Sequence, residues 1–102
     1  MFRRACAGEW VTQERTNCYS DNGNGAQQDL NGGIPVNMAS LMACQSHCLA
    51  TPQCDCIVHD GRNCYLRKGC NFAKCQISQV DQSAGFTAAK LSRSLSLGTL
   101  RV

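Results

Sequence analysis

Apolar positions along the chain change rhythm twice. From Met38 onward, Met38, Leu41, Met42, Cys44, Cys48 and Leu49 recur at the three- and four-residue spacing of a helix. Asn37 precedes them as an N-cap, and Thr51-Pro52 ends the run because a residue before proline is pushed out of the helical region. Beyond it, Cys54-Asp55-Cys56-Ile57-Val58-His59 and Cys64-Tyr65-Leu66-Arg67-Lys68 read as two short strands around Asp60-Gly61-Arg62, which predicts a hairpin. A three-residue loop pairs His59 with Asn63, Val58 with Cys64 and Cys56 with Leu66, so Cys54, Cys56, Val58, Cys64 and Leu66 share one face; a two-residue loop splits them. The three-residue loop is preferred, since one face then offers cysteines and apolar residues together to the helix.

Elsewhere the pattern is weaker. Ser20-Asp21-Asn22-Gly23-Asn24-Gly25 and Asn31-Gly32-Gly33 are turn-formers that tolerate positive φ, so residues 20 to 36 read mostly as loop. The organisation expected is an N-terminal arm over residues 1–16, a folded body over 17–77 that extends at most to about 90, and a linker with a flexible tail over 78–102. Within that tail, Leu91-Ser92-Arg93-Ser94-Leu95-Ser96-Leu97 alternates like a strand but has no turn to set its register.

Composition adds the stabilising device. A chain of 102 residues buries a small core, and nine cysteines, eight of them from Cys18 to Cys75, are the density of a disulfide scaffold made in an oxidising compartment. An extracellular or cell-surface location follows as the expectation. Met1-Phe2-Arg3-Arg4 is basic, but Gly8, Glu9 and Gln13 interrupt any apolar run of a signal peptide, so a fragment or a missing true start is expected. No run approaches the roughly 18 apolar residues of a membrane span. Ten Lys and Arg against seven Asp and Glu give a scattered net charge of +3, which does not argue for nucleic acid.

Cys44 and Cys48, at i and i+4, project from one helical face. A short bridge from Cys48 to Cys54 would clamp the helix-to-strand turn, leaving Cys44 to reach Cys64. The run Cys44-Gln45-Ser46-His47-Cys48, Pro52-Gln53-Cys54-Asp55-Cys56-Ile57-Val58 and Asn63-Cys64-Tyr65-Leu66 resembles the core of PAN/apple domains over about residues 17 to 77. The resemblance implies an α+β, small disulfide-rich module, with one α-helix packed on a short antiparallel β-sheet. It also implies the pairs Cys44 with Cys64 and Cys48 with Cys54, and a further bridge that Cys18 and Cys75 fit best. Cys6, Cys56 and Cys70 have no counterpart in the four-cysteine core. Cys56 with Cys70 is a candidate pair, which leaves Cys6 free, or bridged to another chain or to residues outside this sequence. The loop-entropy model ranks the bridges at about 2.4 kcal/mol for Cys48 to Cys54, about 3.3 for Cys44 to Cys64 and about 4.2 for Cys18 to Cys75.

The resemblance further implies an extracellular adhesion or recognition module, one module of a larger protein, that binds a protein or carbohydrate and is not an enzyme, with no cofactor. The ligand-facing candidates are Arg62, Tyr65, Arg67 and Lys68, in which charge-assisted donors flank an aromatic platform on the hairpin face away from the helix. A merely solvated hairpin is the competing account of them. The alternative from another class is an intracellular zinc-binding interaction domain using Cys44, Cys48, Cys54 and Cys56, although C-x3-C followed by C-x-C is not the usual pair of knuckles. A small secreted enzyme or inhibitor is the third. His47 or His59 beside a cysteine suggests a nucleophilic pair, but no orienting third group is identifiable by motif. Asp21 to Gly25 with Asp29 has glycine where a calcium loop needs oxygen ligands. Gly23 and Gly25 follow no strand and open no helix, as a dinucleotide fingerprint must, and no Asn-x-Ser/Thr acceptor for an N-glycan occurs.

Cys44→Ser or Cys64→Ser is expected to unfold the core, whereas Cys6→Ser leaves it intact. Thermal melts check this, and equal stability of the wild-type chain and Cys64→Ser would contradict the assignment.

Overall fold

A computed structural model of the chain describes residues 10–20, 23–77 and 85–92. The elements run β1 (Trp10–Glu14), β2 (Thr16–Asn17), β3 (Gln28–Asp29), β4 (Val36–Asn37), α1 (Leu41–Leu49), β5 (Cys56–His59), β6 (Asn63–Lys68), β7 (Gln76–Ile77) and β8 (Thr87–Leu91). One helix packs on antiparallel strands held by four disulfides, a small disulfide-rich α+β module. The main sheet runs β1-β8-β5-β6-β3, with β4 also on β6, while β2 and β7 form a separate ribbon.

Helix α1 begins later than its apolar pattern predicts. Ser40, not Asn37, is the N-cap, and its hydroxyl accepts the Ala43 N–H at 3.0 Å. Asn37 is instead spent in β4 opposite Asn63, and the Met38 N–H donates to the Arg62 carbonyl. Leu41, Cys44 and Cys48 turn inward, whereas Met42 is 74% exposed and Leu49 also faces outward. The Thr51 hydroxyl donates to the His47 carbonyl at 2.7 Å and helps end the helix.

The hairpin register is one residue away from the expected one. The Asp60 N–H donates to the Asn63 carbonyl, which leaves Gly61 and Arg62 as a two-residue loop with Gly61 at φ 96°. Glycine at the first central position suits the turns that match strand twist. His59 therefore pairs with Cys64, Val58 with Tyr65, Ile57 with Leu66 and Cys56 with Arg67. Because side chains alternate, this shift separates the residues that the longer loop would have gathered. Ile57, Cys64 and Leu66 face α1, together with Cys54, Ala89, Leu30 and the half-buried Trp10, Val36, Met38 and Leu41. Cys56, Val58 and Tyr65 face the other way.

That second face is also covered. Arg15, at φ 58°, turns the chain from β1 into β2, and the β2–β7 ribbon brings Cys18 beside Cys75. Cys18, Cys75, Val58 and Ala88 form a second apolar cluster, with Ala26, Tyr65, Cys70, Phe72 and Phe86 packed against it. Gly25 runs so close to Cys75 that any Cβ at this position, where φ is 101°, would collide with it. With both faces covered, all four residues of β5 are buried.

The flanks belong to the fold. β1 pairs with β8, and β8 pairs with β5, so residues 10–14 and 87–91 are sheet strands rather than an arm and a flexible tail. The Arg93–Leu97 part of the alternating tail and Cys6 lie outside the described residues. On the far edge, β3 and β4 are one interrupted strand: the register against β6 jumps by four residues between them, the length of the Leu30–Gly33 turn. Asn31, Gly32 and Gly33 all take positive φ there, as their composition predicts.

At the hairpin tip the Asp60 carboxylate accepts the N–H groups of Arg62 at 3.0 Å and Asn63 at 2.7 Å, and the Asn63 side-chain amide at 3.3 Å. Burial raises its pKa, but these bonds and the neighbouring His59 outweigh that and hold it below the ordinary carboxylate value. A depressed folded value means the contribution to stability is complete above about pH 3.9 and is lost as pH falls through the lowered folded value. Asp60→Asn is expected to flatten the stability profile below about pH 4 relative to the wild type, as followed by denaturant midpoints. An unchanged acid limb would contradict this.

Candidate functional site

The four residues expected to face a ligand do not converge. Arg62 is exposed at the hairpin loop, and Lys68 lies at the opposite end of β6, roughly 20 Å away along the strand. Tyr65 does lie on the face away from the helix, as expected, but it is half-buried with its ring 6.3 Å from that of Phe86.

Arg67 is 6% exposed and serves the fold. Its Nε donates to the Cys18 carbonyl at 2.8 Å and lies 3.3 Å from Asp29 Oδ1, while its guanidinium sits 5.2 Å from the Tyr65 ring centroid. Asp29 in turn accepts the Ser20 N–H at 3.0 Å and the Ser20 hydroxyl at 2.9 Å. One buried cation thus ties the Cys18–Ser20 segment and the edge strand β3 to β6. Burial pushes the Arg67 pKa down, and the adjacent Asp29 charge opposes that shift.

The cysteines offer no thiolate for zinc among the described residues. Cys44 is bonded to Cys64, Cys48 to Cys54, Cys56 to Cys70 and Cys18 to Cys75, and the four sulfurs of the zinc alternative are divided among three of these bonds. No cluster of three metal-ligating side chains occurs among the described residues. His59 is 5% exposed and structural: its Nε2 lies 2.8 Å from the Met38 carbonyl, and its Nδ1 accepts the Gly61 N–H. Of the imagined calcium loop, Asp21 and Asn22 lie outside the described residues, and Asp29 is taken by Arg67 and Ser20.

What the fold does assemble is a hollow at one end of the sheet, beside the Cys56–Cys70 bond. About 340 Å³ in volume, it is lined by Val11 of β1, Lys90 and Leu91 of β8, Asp55, Gly69 and Cys70. The position of each follows from the pairing. Val11, Lys90, Cys56 and Arg67 stand in one row across four strands, on the face away from the helix. The Asp55 carboxylate accepts the Gly69 N–H at 2.9 Å, and the Asp55 carbonyl accepts the Leu91 N–H, which fixes the rim. The Lys90 ammonium lies 4.7 Å from the centroid of the Phe72 ring, which the short helical turn Phe72–Lys74 presents. A second hollow of about 260 Å³ shares Gly69 and is bordered by Gln27, Asn71 and Lys74.

An ammonium, a carboxylate and apolar walls around an open hollow can hold a polar ligand by a few placed donors and acceptors. Neither Lys90, Phe72, Asp55 nor Val11 stands out in the sequence. Lys90 follows two alanines in a segment with little strand propensity, and Phe72 reaches Lys90 only through the folded chain.

No family model, curated protein or solved structure matches this chain. Among the described residues no helix is long and apolar enough to cross a membrane. Four disulfides in so small a domain are consistent with an extracellular location.

Asp29→Ala is expected to cost about 3 kcal/mol, since it strands the buried Arg67 charge, whereas Arg62→Ala at the exposed tip changes stability by less than about 0.5 kcal/mol. Urea unfolding compares the two, and equal small effects would show that the ion pair does not hold the edge.

Proposed function

We propose that this chain is an extracellular recognition module of the PAN/apple type that binds a carbohydrate or protein ligand without making or breaking bonds. The observation that carries the reading is the helix staple. Cys44 and Cys48, one turn apart on α1, reach Cys64 in β6 and Cys54 at the start of the β5 segment, in the cysteine pattern that resembles that family. A helix bolted twice to a sheet, with the opposite face clasped by Cys18–Cys75 and Cys56–Cys70, is a rigid frame. Rigid frames suit ligand capture because little ordering entropy remains to oppose binding. Secretion or surface display supplies the oxidising conditions under which four such bonds persist.

The hollow at Lys90 is the ligand site in this reading. Its volume lies at the low end of small-molecule sites, which favours a sugar or another compact polar group over an extended peptide. Lys90 donates to acidic or hydroxyl oxygens, Phe72 holds the ammonium in place, and Val11 offers apolar wall to the face of a ring.

A glycan array carrying neutral, carboxylated and sulfated glycans, run beside a pull-down from extracellular fluid, tests ligand class. Glycan binding that Lys90→Ala weakens about tenfold, and that added salt also weakens, is the expected result. Binding to neither glycans nor proteins, or binding indifferent to Lys90→Ala, would contradict the site.

A further inference from the structure

We propose that the Cys56–Cys70 disulfide is a redox-sensitive latch on this hollow, opened by a small-molecule thiol of the glutathione class while the other three bonds keep the module folded. Two independent observations single it out. The first is access. Cys18, Cys44, Cys48, Cys56 and Cys64 are fully buried, Cys54 and Cys75 are at most 9% exposed, and Cys70 alone among the eight bonded cysteines is half-buried. It also lines the open hollow, which gives a reagent a route to this bond.

The second is charge at the partner sulfur. Cys56 has Arg67 and Lys90 as its direct cross-strand neighbours, one on each side and on the same sheet face, with Cβ atoms roughly 5 Å away. Cys64, the other bonded cysteine inside the sheet, has Val36 and His59 in those places. Arg67 is already paired with Asp29, so Lys90 is the cation of this pair that is left to stabilise a thiolate on Cys56, which makes Cys56 the better leaving group. Lys90, which lines the hollow, also attracts an anionic thiol reagent to it.

The reaction balances as thiol–disulfide exchange. The incoming thiolate attacks Cys70 Sγ and forms a mixed disulfide there. The Cys56–Cys70 bond breaks, and its electron pair leaves on Cys56 Sγ, on the strand position next to Lys90. A second thiolate then attacks the reagent's sulfur in the mixed disulfide and frees Cys70. Overall, two thiols are oxidised to one disulfide and the protein bond is reduced to two thiols.

Opening the latch acts on the hollow through the chain that follows Cys70. The segment from Gly69 to Cys75 carries Phe72, and Cys56–Cys70 ties its start to β5 while Cys18–Cys75 ties its end to the ribbon. Without the first tie, the wall at Cys70 and the Phe72 support of Lys90 are released together. The consequence for ligand binding rests on the reading of the hollow as the ligand site, whereas the order of bond opening does not.

The test exposes the full native chain to graded mixtures of reduced and oxidised glutathione, blocks free thiols by alkylation and maps the labels by peptide mass. The expected result is labelling of Cys56 and Cys70 ahead of the other bonded cysteines, with the first glutathione adduct on Cys70. Lys90→Gln should slow that step by about threefold or more, and hydrogen exchange over residues 69–75 should rise once it has occurred. Another pair opening first, all bonds opening in one step, or unchanged exchange after Cys56–Cys70 opens would overturn the latch. These readouts need no ligand. If a glycan found on the array stays bound after the latch opens, the regulatory half fails, whereas an empty array counts against the ligand reading and leaves the labelling order to decide the latch.

Discussion

The two-residue turn at Gly61 and Arg62 settles which side of the sheet each cysteine serves. With Asp60 and Asn63 closing that turn, Cys64 points to the helix and Cys56 points away from it. Cys44 on the helix then meets Cys64, and Cys56 is left to the opposite layer, where Cys70 reaches it. A register shifted by one residue would exchange every side chain of one strand between the two faces, so neither layer could form as it stands. The turn residues are suited to holding this register, since Gly61 takes the positive φ and the Asp60 carboxylate holds the N–H groups of Arg62 and Asn63.

Two covered faces explain how a small chain makes a rigid frame. One layer is the helix with Leu41, Cys44 and Cys48 against Ile57 and Leu66. The other is the ribbon and the Phe72 turn, held by Cys18–Cys75 and by Arg67, whose buried charge is shared among Asp29, the Cys18 carbonyl and the Tyr65 ring. The hollow lies beside the Cys56–Cys70 bond, with Lys90 in its lining and Phe72 of this second layer against the Lys90 ammonium. A site of this kind depends on the bonds that hold its wall, and the recognition and redox proposals therefore concern the same few residues.

Much of the frame is legible in the sequence, and the departures have identifiable causes. The helix, the hairpin and the cysteine pairs are legible because residue spacing within a few turns of chain carries them. The hairpin register escapes because β5 is buried on both faces, and Ile57-Val58 offers no alternation from which to choose a side. Asn37 has the chemistry of a cap, but its place in β4 makes Ser40 the residue that caps the helix. Strands β1 and β8 are hidden because their partners lie at opposite ends of the chain, and β3 and β4 because two-residue ladders have no period to read. The candidate site is the least legible part. Arg67 resembles a surface donor in sequence and is a buried strut in the fold, whereas Lys90 and Phe72 become neighbours only through tertiary structure.

The two-layer frame requires that Cys56 and Cys64 serve opposite faces. Digestion of the native protein without reduction, followed by mass analysis of the linked peptides, tests that directly. The predicted result is a peptide pair joining Cys56 to Cys70 and another joining Cys44 to Cys64. A link from Cys56 to Cys44 or Cys48 on the helix, or both residues recovered as free thiols, would contradict it.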